Sequence, residues 1–170
     1  MKEAIAGGAK TIIACRVGNG GTQGSIKLQD SESTDAVSIT AKYPGAKDFV
    51  VTVREKLSDS TLKECIFYAG TTEFEKVEFA AGTDEANALV DALASSKNFK
   101  AEVIKSGTVT LQNVSQSQFT KGTDPQVTNG DYSNAFKQVE AYEFNTICVD
   151  TEDTSVHLLL QSFILSLIHI

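Results

Sequence analysis

The sequence predicts an α+β chain in which an antiparallel β domain with one packed helix is followed by the start of an α/β domain. Three observations predict this fold class. Apolar and polar residues alternate with a period of two across 36–80, a helical apolar stripe follows, and beyond residue 125 the pattern becomes helix, strand, helix. The first two belong to a half-buried sheet and its covering helix, and the third is typical of α/β architecture.

Four strands are predicted in the central stretch. The alternating runs are 37–43, 49–54, 62–69 and 73–80. Turn-forming residues separate them at 43–48, 57–60 and 70–72. We therefore expect antiparallel hairpins that form one sheet with one solvent-exposed face.

Further elements complete this domain. A helix is expected where apolar residues recur at i, i+3, i+4 and i+7 behind the possible N-cap Thr83: Ala86, Leu89, Val90 and Leu93. Ile26 and Leu28 open the strand-rich segment, and two short strands near 99–104 and 108–111 close it.

Composition predicts boundaries on both sides of the domain. Before it, a helix end at 1–6 and an apolar strand at 11–17 indicate a preceding domain, and the glycine-rich stretch 18–24 predicts a flexible joint with a boundary near Thr22. After it, the Ser- and Gln-rich stretch 113–118 and the turn at 122–125 mark a second boundary.

The last third of the chain predicts helix, strand, helix. The first helix carries Tyr132, Ala135, Phe136 and Val139 behind the possible cap Asp131. A continuous apolar strand follows at 144–149, and the second helix carries Val156, Leu159, Leu160 and Phe163 behind Asp153 or Thr154. One strand cannot form a parallel sheet, so we expect the opening of a larger domain, whose helices present incompletely covered apolar surface.

The composition argues against several function classes. The chain has 170 residues with 15 basic against 22 acidic, a net charge of −7, and no basic run, which argues against a nucleic-acid surface. Cys15, Cys65 and Cys148 stand in apolar contexts and are interpreted as reduced, buried thiols in an intracellular compartment. Neither a secretory signal nor a long apolar run is present, so we expect no membrane partner.

No chemical site is predicted. The glycine cluster lacks a Gly-Lys-Ser or Gly-Lys-Thr ending and has Gln23 where a dinucleotide fingerprint needs Gly. His157 and His169 are the two histidines, and no cysteine pair has ligand spacing, so no metal is expected. Asp150 follows the apolar strand, in a placement that resembles the acidic triad member of subtilisin-like proteases. Without a nucleophile segment, its expected role is to cap the next helix.

The six residues 165–170, Leu-Ser-Leu-Ile-His-Ile, resemble the conceptual translation of a transposon-end adaptor used in sequencing libraries. An ordinary continuation of the apolar helix is the alternative. We exclude these residues from functional argument.

Several segments in combination resemble the tail sheath proteins of contractile-tailed bacteriophages. These are Gly7-Gly8-Ala9-Lys10 before a run ending in Arg16, Thr40 to Gly45, Phe49 to Lys56, Phe119 to Pro125, Asp131-Tyr132, and Phe144 to Asp150. The resemblance extends over nearly all of 7–164.

The resemblance implies a domain plan and a function. It implies that 22–121 is a β-sandwich, that 1–21 is the remnant of an N-terminal domain with a linker, and that 122–164 begins a domain that is subtilisin-like in fold but not in activity. It also implies a non-enzymatic subunit, located in the virion tail and in the host cytoplasm during assembly. Such subunits stack with their copies in rings around the tail tube and contract to drive genome ejection. Contacts with the tube protein would belong to regions absent from this sequence.

Two other function classes remain open. A β-sandwich could bind carbohydrate or a host surface through exposed aromatic rings, for which Tyr43, Tyr68 and Phe74 are the candidates. A fragment of a subtilisin-like hydrolase around Asp150 is the second alternative.

Overall fold

The computed structural model describes residues 5–168, apart from the side chain of residue 168, and the chain divides into two compact units. One unit is Gly20–Pro125. The other consists of the described parts of Met1–Asn19 and Gln126–Ile170.

The unit Gly20–Pro125 contains two antiparallel sheets and a helix. Its elements are β1 Ser25–Gln29, β2 Asp35–Ala41, β3 Phe49–Lys56, β4 Asp59–Ala69, β5 Thr72–Ala80, α1 Glu85–Ala94, β6 Phe99–Val103 and β7 Val114–Gln118. The three-stranded sheet has the order β1-β2-β6, and the four-stranded sheet has the order β5-β4-β3-β7. The predicted α+β class and the antiparallel sandwich with a packed helix are confirmed.

The expectation of one sheet for the four central strands is wrong. β2 pairs with β1 and β6, whereas β3 pairs with β4 and β7, so the connection between β2 and β3 crosses from one sheet to the other. Hydrogen bonds fix this connection at Gly45 N to Thr22 O, 3.2 Å, and at Ala46 N to Asp124 Oδ1, 3.0 Å. Alternation identifies the buried face of a strand, but it does not say which sheet the strand joins.

Three local predictions are corrected after β5. The N-cap of α1 is Asp84 instead of Thr83. The expected strand at 108–111 contributes only isolated bridges, from Val109 to Asp84 and from Leu111 to Asp30. The stretch 113–118, taken as a boundary for its Ser and Gln content, contains β7, because a sheet edge accepts polar side chains where one face is solvated.

The core lies between the two sheets. Phe67 of β4 and Phe99 of β6 are fully buried, and their rings stack with centroids 4.1 Å apart. Helix α1 packs on β6 and β5, which are edge strands of the two sheets, and it buries Ala86, Leu89 and Leu93. The predicted apolar stripe of α1 therefore covers one open side of the sandwich.

The chain covers the opposite side as it leaves β7. Phe119 N donates to Phe49 O at 3.0 Å, in continuation of the four-stranded sheet. Thr120 then exchanges two backbone hydrogen bonds with Ser25 at the start of β1, at 2.8 and 3.0 Å. One extended segment thus joins the β7 edge to the β1 edge, which leaves fewer unpaired backbone groups at both edges.

The second unit contains α2 Asn129–Val139 and α3 Thr154–Ile168. Thr128 is the N-cap of α2, and Asp131 completes a capping box with it instead of being the cap itself. The two helices pack together, with the rings of Phe136 and Phe163 stacked at 5.4 Å. Phe136 is buried, whereas Leu158 and Leu165 of α3 are exposed.

Both strands predicted for this part of the chain are wrong. Within the described residues, neither 11–17 nor 144–149 is a strand, since an apolar run becomes a strand only where a neighbouring strand pairs with it in a ladder. Cys15 and Cys148 are exposed there, so the expectation of buried thiols is correct only for Cys65. Of the predicted helix end at 1–6, residues 5 and 6 are helical before a turn at Gly7, and 1–4 lie outside the described residues.

Candidate assembly surface and chemical sites

The outer face of the four-stranded sheet carries a network of charged side chains. We call this network the outer ladder; it consists of Arg54, Lys56, Glu64, Lys76 and Glu78. Arg54, Glu64 and Glu78 lie opposite one another across β3, β4 and β5, because alternation directs these positions away from the core.

Ion pairs connect the outer ladder. Glu64 accepts from Lys76 Nζ at 2.6 Å and from Arg54 Nη2 at 3.1 Å, and Glu78 accepts from Lys56 Nζ at 2.6 Å. The hydrogen bond from Lys76 lowers the pKa of Glu64, and the same bond raises the pKa of Lys76. The charges of this face are therefore largely paired within the sheet. Lys76 and Glu78 place charged side chains on the edge strand β5, and charges on an edge strand oppose pairing with another chain.

The aromatic residues considered for carbohydrate binding do not form a common platform. Tyr43 is 62 % exposed in the crossing connection, and Phe74 is 43 % exposed. The Phe74 ring packs on Phe49, with centroids 5.7 Å apart, and on Phe99 at 6.3 Å, so it forms the rim of the core cluster. Tyr68 lies opposite Val50 on the outer face of the sheet. Phe74 is thus explained by packing of the sandwich.

A buried ion pair, which the sequence analysis did not single out, fixes α1 to the four-stranded sheet. Lys63 Nζ of β4 lies 2.8 Å from Glu85 Oε2 in the first turn of α1, and their side chains are 6 % and 2 % exposed. Lys63 also donates to Leu111 O at 2.7 Å, while Glu85 accepts from Leu111 N at 2.7 Å and from Gly82 N at 3.1 Å. This buried cluster connects β4, the start of α1 and the segment before β7.

A second polar cluster organises the turn between β1 and β2. The buried Asp30 carboxylate accepts from the backbone amides of Glu32 and Thr34, both at 2.9 Å, and from Lys105 Nζ at 2.5 Å. The hydrogen bond from Lys105 is the main reason why the pKa of Asp30 is lowered, and the same bond raises the pKa of Lys105. Asp30 therefore ties this turn to the segment that follows β6.

The glycine-rich stretch, predicted as a flexible joint, is hydrogen-bonded over part of its length. Thr22 N donates to Thr123 O at 3.2 Å and Thr123 N donates to Thr22 O at 3.1 Å. A Cβ atom at Gly122 would overlap the carbonyl oxygens of Thr22 and Gly45. Glycine at 122 is thus required for the close approach of the two backbone segments.

The residues near Asp150 are arranged around the start of α3. Asp153, not Asp150, caps the helix: its Oδ1 accepts from Ser155 N at 2.8 Å and from Ser155 Oγ at 2.7 Å. These hydrogen bonds lower the pKa of Asp153. The Nε2 atom of His157 lies 2.7 Å from Thr151 O. Ser155 therefore bonds to Asp153, and the ring of His157 lies against Thr151 O. These two side chains do not form the pair in which a histidine activates a serine.

The described residues provide neither a metal-binding cluster nor a membrane-spanning helix. Residues 5–168 contain no group of three or more His, Cys, Asp or Glu side chains placed to hold a metal ion. In the same part of the chain, no helix is both long and apolar enough to cross a membrane. His169, one of the two histidines weighed as ligands, lies outside the described residues.

Two solved structures are similar in fold to most of this chain. The sheath tail protein of Desulfitobacterium hafniense matches with a TM-score of 0.60 and 22 % identity over 85 % of this chain and 31 % of its own. The sheath tail protein of Listeria innocua matches with a TM-score of 0.58 and 25 % identity over 84 % of this chain and 30 % of its own. No family model and no curated protein matches the chain.

The fold of this chain is therefore similar to that of a part of the sheath tail proteins. The resemblance to such proteins that the sequence predicted is confirmed by these structural matches. This chain spans less than a third of the length of either matched protein.

Proposed function

We propose that this chain is a structural component of a phage contractile tail sheath and acts through contacts with copies of itself. The observation that carries the proposal is the structural match to two sheath tail proteins over 85 % and 84 % of the chain. A match of this extent includes both compact units, so it is not limited to a common sandwich topology.

The physical character of the sandwich supports a mechanical role. A lattice subunit must transmit force as a rigid body, and rigid bodies joined by bistable interfaces are one way to build a contracting assembly. Here helix α1 is fixed to the sheet through the buried pair Lys63 and Glu85, and the β1 to β2 turn is fixed through Asp30. These internal connections favour a sandwich that moves as a unit.

The proposal also includes how the subunits assemble, where they act and how the chain is divided into domains. We infer that the assembled subunits form stacked rings around a tail tube and that contraction drives genome ejection. The location would be the virion tail, with assembly in the host cytoplasm, and the tube would contact regions outside this sequence. The segments 1–21, 22–121 and 122–164 would be the N-terminal remnant with linker, the sandwich and the start of a non-catalytic subtilisin-like domain. On this proposal the chain is not an enzyme.

A chimera tests the proposal. In the Listeria innocua sheath tail protein, the segment that superposes on this chain is replaced by residues 7–164 of this chain. Sedimentation and electron microscopy then compare the chimera with the unmodified protein under conditions where the latter assembles. If the function is shared, the chimera assembles into particles with the same diameter and axial repeat.

The control is a second chimera that carries an unrelated β-sandwich of the same length. It should remain unassembled, because shared topology alone does not supply matching interfaces. A chimera of this chain that is folded by circular dichroism and yet stays monomeric would contradict the proposal. Selective binding of the isolated chain to glycans would instead favour the carbohydrate alternative.

A further inference from the structure

The chain contains two Asn-Gly dipeptides in different backbone settings. Asn19-Gly20 stands where one compact unit ends and the other begins, and Asn129-Gly130 opens helix α2. Asn-Gly is the dipeptide in which glycine, with no side chain, least hinders attack of its own amide nitrogen on the preceding side-chain amide.

The surroundings of Asn19 leave this reaction unhindered. Asn19 and Gly20 are both exposed, and the bridge from Asn19 N to Gln126 O at 3.2 Å uses the backbone of Asn19 only. Gly20 has a φ of +75°, and a Cβ atom placed on it would meet no atom within 4 Å. A ring that closes between the Asn19 side chain and the Gly20 nitrogen therefore has open space around it.

Asn129 is held in a different way. It is the first residue of α2, so its backbone is helical, and a helical ψ angle directs the next nitrogen away from the side-chain carbonyl. Asn129 Nδ2 donates to Ser155 Oγ at 3.0 Å, and Ser155 is itself held by the hydrogen bond from its hydroxyl to Asp153 Oδ1 at 2.7 Å. Both restraints oppose the close approach that ring closure requires.

We propose that Asn19 is a site of spontaneous deamidation in the folded protein and that Asn129 is protected by the fold. The Gly20 nitrogen attacks Asn19 Cγ, the new C–N bond forms as the C–NH₂ bond breaks, and ammonia leaves with the proton lost from the Gly20 amide. Water then opens the succinimide to aspartate or isoaspartate. The net reaction consumes one water molecule, releases one ammonia molecule and needs no oxidant or reductant.

The product changes both the charge and the backbone of the chain at position 19. Each event adds one negative charge to a chain whose formal charge is already −7. The isoaspartate product also inserts a carbon into the main chain beside the backbone bridge to Gln126. The modification thus changes the backbone at 19–20, and neither residue belongs to the buried core.

Peptide mapping by mass spectrometry tests the proposal. Trypsin separates the two sites, because Asn19 lies in the peptide 17–27 and Asn129 lies in 122–137. The intact protein is incubated at mildly alkaline pH, once folded and once in urea, and the acid form of each peptide is followed with time. A protein isoaspartyl methyltransferase, with a labelled methyl donor, measures the isoaspartate product independently.

In the folded protein, the acid form should accumulate at Asn19 at least about tenfold faster than at Asn129, because a misplaced nucleophile loses one to two orders of magnitude in rate. In urea the two rates should converge, since both sites have glycine next. Asn19→Gln should abolish the signal in peptide 17–27. Equal rates at both sites in the folded protein, or suppression at Asn19 when the chain folds, would overturn the proposal.

Discussion

Lys63 Nζ and Glu85 Oε2 lie 2.8 Å apart inside the sandwich, where each side chain is almost fully buried. The pair joins the middle of the longest strand to the first turn of α1. The Leu111 backbone closes the cluster, because its N–H donates to Glu85 and its C=O accepts from Lys63. Every charged group of the pair thus has hydrogen-bond partners, which is the condition under which a buried pair is tolerated.

A substitution that removes only one charge of the Lys63–Glu85 pair should strongly lower the free energy of unfolding. Lys63→Met leaves the Glu85 carboxylate buried without its counter-charge, and we expect a loss of about 3–5 kcal/mol in the free energy of unfolding. Urea denaturation followed by far-UV circular dichroism measures this loss; tryptophan fluorescence does not serve, because the chain contains no Trp.

The double variant Lys63→Met/Glu85→Leu is the matched control. It should lose less stability than the sum of the two single variants, because it leaves no isolated buried charge. Additive losses would show that the two groups act independently.

Packing between the sheets gives a second prediction. The ring of Phe99 is fully buried and stacks on Phe67, so Phe99→Ala should destabilise the sandwich by about 3–5 kcal/mol. Phe74→Ala removes the same atoms from a ring that is 43 % exposed and should cost about 1–2 kcal/mol. Equal losses in urea denaturation would mean that Phe74 belongs to the core as fully as Phe99 does.

Stability should depend on pH through Asp30 and Lys105. The pKa of Asp30 is lowered on folding, so the unfolded chain binds its proton first, at about pH 3.9, and stability is lost as pH falls from there through the folded pKa. The pKa of Lys105 is raised, so its contribution is present below about pH 10.4 and is lost as pH rises through the folded pKa.

Asp30→Asn tests the acid side. The variant keeps an oxygen for the amides of Glu32 and Thr34 but loses the charge opposite Lys105. Its melting temperature should fall less steeply below pH 5 than that of the parent. Asp48→Asn is the control, because the pair of Asp48 with Lys121 is exposed on both sides. If the two variants have the same pH profile, Asp30 is not the group responsible.

The sequence was sufficient to predict most elements of the sandwich, but it predicted neither β7 nor the sheet that each strand joins. The period of two located β3, β4 and β5, and the period near four located α1, because these patterns report which face is buried. The separation of β2 from β3 depends on hydrogen bonds of Gly45 and Ala46 to residues far along the chain. Local alternation contains no information about such partners.

The errors elsewhere have a related cause. The stretch 144–149 is as apolar as a buried strand, yet a strand forms only where another one supplies hydrogen-bond partners. Conversely, β7 is Ser- and Gln-rich and forms because β3 lies beside it. The buried pair was missed because Lys63 and Glu85 occupy positions that look like a solvated strand and a first helical turn. One sequence signal pointed to burial of Lys63: in β4 it alternates in step with Cys65 and Phe67, so it lies on the face that is directed to the core.

Two glycines provide a final test, because the structure predicts opposite signs for the same substitution. A Cβ atom at Gly122 would overlap backbone atoms of Thr22, Gly45 and Gly24, and none of these is the flexible end of a side chain. Gly122→Ala should therefore separate the paired segments and cost about 1–3 kcal/mol. In Gly130→Ala, the new methyl group would lie 3.6 Å from Thr128 Oγ1 in ordinary contact. Because Gly130 lies within helix α2, alanine there should stabilise the helix by up to about 1 kcal/mol. Thermal denaturation of both variants decides the matter: a Gly122→Ala protein as stable as the parent would show that the backbone of 22–24 does not approach Gly122 closely.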